Sequence, residues 1–157
     1  MAQFTGAARA LKTRMEQAFG HLGLHAGQQF ILECLWGADG LTPGKLARRI
    51  GVETPTVVKA VQRMEAAGLV ERRPHPTDAR LVTVHLTERG RALEAVVPPL
   101  VLQVAEEALS GFSAAERAQL ETLLERLRRN LSPQRHPAGA TTAEPVAAPG
   151  GGAGRGG

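Results

Sequence analysis

Apolar side chains recur at Phe4, Ala8, Leu11, Met15, Ala18 and Leu22, in alternating steps of four and three that gather them on one stripe of a helix. Gly20 and Gly23 close that helix, and a second over about 26–36 is expected to bury Phe30, Ile31, Cys34 and Leu35. Thr42-Pro43 reads as an N-cap followed by a first-turn proline, because the hydroxyl accepts a free backbone N–H and proline has none to leave unsatisfied. The same device recurs at Thr54-Pro55. The helices these pairs start run to about Ile50 and Ala67 and stop at Gly51 and Gly68. Joined by the tight Gly51-Val52-Glu53 connection, they predict a helix-turn-helix.

Beyond Gly68 the period changes. Residues 69–73 read as a short strand, Pro74-His75-Pro76-Thr77-Asp78 as a turn, and 80–86 alternate, with Val82, Val84 and Leu86 on one face and Leu81, Thr83 and His85 on the other. A hairpin, or wing, is predicted. Thr87 caps a helix expected to reach about Leu109, with a kink or break at Pro98-Pro99, where each proline removes a donor and crowds the preceding turn. Ser113-Ala114-Ala115-Glu116 is a capping box that starts a last helix, striped by Leu120, Leu123, Leu124, Leu127 and Leu131. From Ser132 onward Pro, Ala, Thr and Gly dominate, and 132–157 is expected to be a disordered tail. The fold class predicted is mainly α with a small β-hairpin wing (α+β), in one unit over 1–131.

Composition narrows the function. A chain of 157 residues with 43% apolar content suits one core. No apolar run approaches the roughly 18 residues of a membrane span, and the first residues lack a signal peptide's apolar block, so a cytoplasmic location with no membrane partner is expected. Cys34 is the only cysteine, which excludes an internal disulfide and a cysteine-rich zinc site within one chain. There is no Gly-rich phosphate loop, serine nucleophile elbow or carboxylate pair with a plausible base, so no enzyme, catalytic residue, cofactor or metal is expected. Charge is more informative in its distribution than in its sum. Between positions 41 and 91 ten basic residues face five acidic ones, a net of +5, while the whole chain carries +4 and the remainder therefore about −1. A basic middle between near-neutral flanks suits a polyanionic partner.

On the second helix of the helix-turn-helix, Val57, Val61 and Met64 share one face, while Thr56, Lys59, Gln62 and Arg63 share the other. A recognition helix needs one face to anchor it and another to offer donors and acceptors to base edges and phosphates. Thr42, Lys45 and Arg48 on the preceding helix, Thr54 at the start of the second, and Arg73 on the hairpin complete the candidate DNA-binding set. A solvated amphipathic helix with ordinary surface cations is the alternative.

The order of the pieces is more specific than any one of them. Leu46-Ala47 with Ile50-Gly51-Val52, then Val57-Val58, Met64-Glu65-Ala66-Ala67-Gly68-Leu69-Val70-Glu71-Arg72, Asp78-Ala79-Arg80, and Val84-His85-Leu86-Thr87 with Gly90 resemble the signature of the MarR (multiple antibiotic resistance regulator) family. The likeness extends more loosely over 3–131. It implies a winged-helix transcription regulator, commonly a repressor, that binds near-palindromic double-stranded DNA as a homodimer. DNA would meet 42–91, and 1–24 with 93–131 would supply dimerisation helices. The resemblance also assigns Arg80 to the minor groove and Asp78 to the shape of the wing tip, with a plain turn ion pair as the alternative.

It further implies a small aromatic or phenolic effector near Arg14, His21, His25 and Trp36. Other readings are a winged helix used for protein contacts, or a metal- or redox-responsive regulator. His21 and His25 have the spacing of helical metal ligands but stand among glycines, and Cys34 reads as a small buried apolar residue rather than a sensor.

Overall fold

The computed structural model describes residues 1–131, so the tail expected at 132–157 lies outside the described residues. Helices α1 (Ala2–Phe19), α2 (Gln29–Gly37), α3 (Pro43–Ile50) and α4 (Thr54–Ala66) lead into strands β1 (Val70–Pro74) and β2 (Val82–Leu86). Helices α5 (Glu88–Ala92), α6 (Val97–Ala108) and α7 (Ala114–Leu131) follow, with single 3-10 turns at Gly20–Leu22 and Leu93–Ala95. The architecture is mainly helical with one antiparallel hairpin. No helix among the described residues is long and apolar enough to cross a membrane.

The core gathers where the helix-turn-helix meets α2 and the hairpin. Phe19, Leu24, Leu32, Leu35, Leu46, Met64 and Val84 are all at most 1% exposed, and burial of this kind contributes about 1.5–3 kcal/mol per large side chain. The stripe on α1 is divided. Met15 and Phe19 are buried, but Phe4 and Leu11 are each 49% exposed, so the N-terminal half of the stripe is left partly uncovered among the described residues.

Helix α2 begins later than its apolar pattern suggests, because side chains hold the preceding loop open. Gln28 Oε1 accepts the N–H of His25 at 2.9 Å, and Glu16 Oε1 accepts that of Ala26 at 3.1 Å. The phase differs too. Ile31, Leu32 and Leu35 face the core, while Phe30, about 100° round the helix from Ile31, is 47% exposed and Cys34 only half-buried. Phe30 is therefore not the core residue expected.

The cap at Thr42 forms, its Oγ1 accepting the Lys45 N–H at 3.3 Å. The one expected at Thr54 does not: Thr54 is already helical, Glu53 flanks the helix, and no side chain caps it. Gly51 (φ 79°) and Gly68 (φ 69°) end α3 and α4 in the left-handed region that favours glycine. The helix expected over 88–109 is broken, as α5, a 3-10 turn and α6, with the break one turn ahead of the prolines rather than at them. Pro98 and Pro99 cannot bond to the carbonyls four residues earlier and crowd them, so they occupy the first turn of a new helix.

Hairpin pairing runs Val70↔Leu86, Arg72↔Val84 and Pro74↔Val82. A segment absent from the sequence expectation joins it: Leu41 bridges Val84, with Val84 N donating to Leu41 O at 2.9 Å and Gly40 N to Val84 O at 3.1 Å. Thr87 Oγ1 accepts the Gly90 N–H at 3.1 Å and donates to Gly68 O at 2.7 Å, tying the start of α5 to the end of α4. Arg89 reinforces the joint, donating to Ala67 O at 2.7 Å and Leu22 O at 3.0 Å.

Helix α7 starts at its capping box, where Ser113 N and Oγ donate to Glu116 Oε2 at 2.8 and 2.7 Å. Those bonds hold the Glu116 carboxyl below the usual carboxylate range. No side chain of α7 is buried, and Leu123, Leu124 and Leu131 are exposed.

Candidate nucleic-acid interface

Helices α3 and α4 present the predicted polar set outward. Leu46 and Ala47 anchor α3, and Val57, Val61 and Met64 anchor α4, each at most 3% exposed. Lys45, Arg48, Thr54, Thr56, Lys59, Gln62 and Arg63 are exposed, while Thr42 is half-buried with its hydroxyl committed to the cap. The cations of this region fall into two groups. Arg72 bonds to Glu65, Arg73 to Glu71 and Arg91 to Asp39, and Arg89 binds two carbonyls. Lys45, Arg48, Arg49, Lys59 and Arg63 make no side-chain hydrogen bond or ion pair among the described residues. Exposed cations held without carboxylate partners cost self-repulsion with no internal return, which is the arrangement a polyanion relieves.

At the wing tip, Asp78 Oδ1 accepts the backbone N–H of Arg80 at 3.0 Å and Leu81 N donates to Asp78 O at 3.0 Å. The carboxylate thus shapes the turn through the backbone and forms no ion pair with the Arg80 guanidinium. The Arg80 side chain is exposed and has no partner among the described residues. Arg73, by contrast, is drawn along its own strand into the pair with Glu71.

Of the four residues expected around an effector, three make bonds of their own. Arg14 is engaged by Glu107 through two bonds of 2.8 and 2.9 Å, holding the Glu107 carboxyl below its usual range. Trp36 Nε1 donates to Gly90 O at 3.0 Å, His25 Nδ1 lies 3.1 Å from Glu16 Oε2, and His21 is exposed on the 3-10 turn. A groove of about 860 Å³ lies between α2 and the helix-turn-helix, with His25, Phe30, Cys34, Arg49, Lys59 and Arg63 among its lining. Burial pushes the Cys34 thiol up, only partly opposed by Arg49, so the sulfur there is a protonated, weakly nucleophilic one.

Asp39, Glu65 and Arg89 were not singled out from sequence, because their partners lie in other elements. Glu65 shows the consequence. The Arg72 side chain, helped by the Arg72 backbone N–H at 3.2 Å, holds its carboxyl below the ordinary value of 4.5. A carboxyl depressed on folding stabilises the fold above its unfolded value, and that contribution disappears as pH falls through the folded one. Thermal melts of wild type and Arg72→Ala should therefore differ at neutral pH and converge as the solution is acidified below about 4.5. A gap that persists in acid would exclude the ion pair as its source.

Residues 24–82 match the model of the MarR family. An HTH-type transcriptional regulator of Bacillus subtilis (strain 168), YybA, is 29% identical over 124 residues, covering 79% of this chain and 83% of the relative. Among solved structures, the transcriptional regulator SlyA superposes with a TM-score of 0.73 at 27% identity, covering 83% of this chain and 92% of that one. A MarR family transcriptional regulator from Listeria monocytogenes, solved with 26mer DNA, has a TM-score of 0.69 at 24% identity over 84% of this chain and 89% of that one.

Proposed function

We propose, for a chain that carries the winged helix-turn-helix of the MarR family of transcriptional regulators, that it binds near-palindromic double-stranded DNA as a homodimer and represses transcription until a small effector releases it. The observation that carries the reading is the set of exposed cations on α3, α4 and the wing tip, Lys45, Arg48, Lys59, Arg63 and Arg80, none of which has an internal partner among the described residues. Residues 1–131 form the working unit, with 42–91 on the duplex. Thr54, Thr56, Lys59, Gln62 and Arg63 lie in the major groove. Thr42, Lys45, Arg48 and Arg73 lie along phosphates, and Arg80 enters the minor groove from a tip shaped by Asp78.

Dimerisation uses the exposed apolar faces of 1–24 and 93–131. Phe4, Leu11, Leu102, Leu123 and Leu124 are each about half exposed or more in the single chain. Two-fold symmetry would space the recognition helices by about one DNA turn, roughly 34 Å. The groove beside α4 offers an aromatic or phenolic effector an apolar floor near the helix it must disable.

The test is equilibrium binding to fragments selected from genomic DNA, measured across salt concentration. Log affinity should fall steeply with log salt, and Arg80→Ala should weaken binding while lowering the slope by about one unit. Arg63→Ala should cost about 1–3 kcal/mol on selected sites and less on random duplex. Equal loss on both would move Arg63 to the backbone, and binding with no salt dependence would favour a protein-contact module instead.

A further inference from the structure

The root of the hairpin holds a chain of polar groups that DNA contact leaves unused. Asp39, in the loop between α2 and α3, accepts the N–H groups of Leu86 at 2.9 Å and Gly40 at 3.0 Å through Oδ1, and the Arg91 guanidinium at 3.1 Å through Oδ2. One carboxylate thereby fastens the end of β2 to α5 and to the end of α2. His85, the preceding residue on β2, turns Nδ1 to 3.9 Å from Asp39 Oδ2 and Nε2 to 2.9 Å from Thr83 Oγ1. The Thr83 hydroxyl in turn donates to Arg73 O at 3.3 Å. A hydroxyl has one proton to give. With that proton on the Arg73 carbonyl, Thr83 Oγ1 accepts from Nε2–H, and the neutral ring is left presenting a bare Nδ1 lone pair to a carboxylate.

The ring is also confined. Gly40 packs so closely that a Cβ added there would lie 2.9 Å from His85 Cε1. Its side chain is 22% exposed and that of Asp39 32%, so both are shielded yet reachable by solvent protons. The charged groups around it are Asp39 from the loop, Arg91 from α5, and Glu71, its cross-strand partner on β1, which is paired with Arg73. Arg73 is engaged by Glu71, whereas Arg91 shares Asp39 Oδ2 with the ring, so a proton arriving on Nδ1 sets a second cation beside one carboxylate.

We propose that Asp39 and His85 form a proton-operated clasp at the root of the wing, in which Asp39 is a positioning residue and a charged His85 draws the hairpin against the body of the protein. The proposal rests on the DNA-binding reading. A duplex gains from the clasp only insofar as a wing already held in place loses less freedom on binding. A protonated His85 closes the clasp and a neutral one leaves it open. Binding therefore tightens with acidification.

The full chain is titrated against a fluorescein-labelled mixed-sequence duplex by anisotropy, at constant ionic strength, between about pH 7.5 and about pH 5.5. Wild type, and His75→Gln, which removes the other wing imidazole, should tighten by about fivefold. His85→Gln should lose most of that gain. So should Asp39→Asn, which keeps an acceptor for the Leu86 N–H but not the charge. Tightening in His85→Gln equal to wild type overturns the proposal. In parallel, NMR relaxation of the backbone amides of β2 is recorded without DNA, and these should stiffen on acidification in wild type and His75→Gln only. Failure to stiffen overturns the clasp whether or not DNA binds. So does stiffening accompanied by a pH-independent affinity. Stiffening in a protein that binds no duplex at any pH supports the clasp and removes the DNA-binding reading instead.

Discussion

Gly90→Ala is expected to destabilise the protein by about 3 kcal/mol or more, since relief would require moving backbone rather than a flexible side chain. Gly90 lies in α5 at the point where that helix crosses the start of the hairpin, and an added Cβ would stand 2.0 Å from the carbonyl oxygen of Leu69. Leu69 cannot give way cheaply. Its side chain is fully buried, its N–H donates to Met64 O at 2.9 Å, and its carbonyl accepts the Thr87 N–H at 3.2 Å. On the other side, the Gly90 carbonyl accepts the Trp36 indole N–H at 3.0 Å. Urea denaturation followed by tryptophan fluorescence reads both effects, and a stability within about 1 kcal/mol of wild type would show that α5 does not press on Leu69 as described.

The second large effect is expected at Phe19, the last residue of α1, which is 0% exposed. Phe19→Ala removes a ring and leaves a cavity that surrounding backbone fills only in part, at a cost of about 3–5 kcal/mol. Phe19→Leu, which restores most of the volume, should recover much of the loss. If the alanine and leucine variants melted together near wild type, Phe19 would have to sit in a site that collapses freely, and the core would be looser than its burial indicates.

These two sites show what could be read from the chain and what could not. Devices that close within one turn were legible. Thr42, Thr87 and Ser113 cap the helices they precede, and Gly51 and Gly68 end the helices they follow, because donor, acceptor and dihedral lie within a few residues of each other. The two faces of α4 were legible for the same reason, since burial at Val57, Val61 and Met64 follows the helical period.

Contacts made across the fold were not. Asp39 meets Leu86 across 47 positions, and Arg89 meets Leu22 across 67. Nothing local to either residue marks its partner. The Leu41–Val84 bridge is hidden likewise, as a single residue has no period. For α2 the apolar content was visible but not the phase, because the start of the helix is set by bonds from Glu16 and Gln28 to the loop before it. The bonds of Arg14 to Glu107, His25 to Glu16 and Trp36 to Gly90 were hidden for the same reason, since family likeness gives a neighbourhood and not a partner.

Helix α7 buries none of its side chains, although half-exposed leucines line one side of it. Arg117 ties its first turn to α6, donating to Glu106 at 2.7 Å and to Leu109 O at 3.1 Å, while the leucines farther along stay exposed. A surface that shelters those leucines would add to the stability of its winding. If the shelter is a second copy, each added molecule raises both the amount of protein and the share that is sheltered at its far end, and the response to copy number becomes steeper than linear.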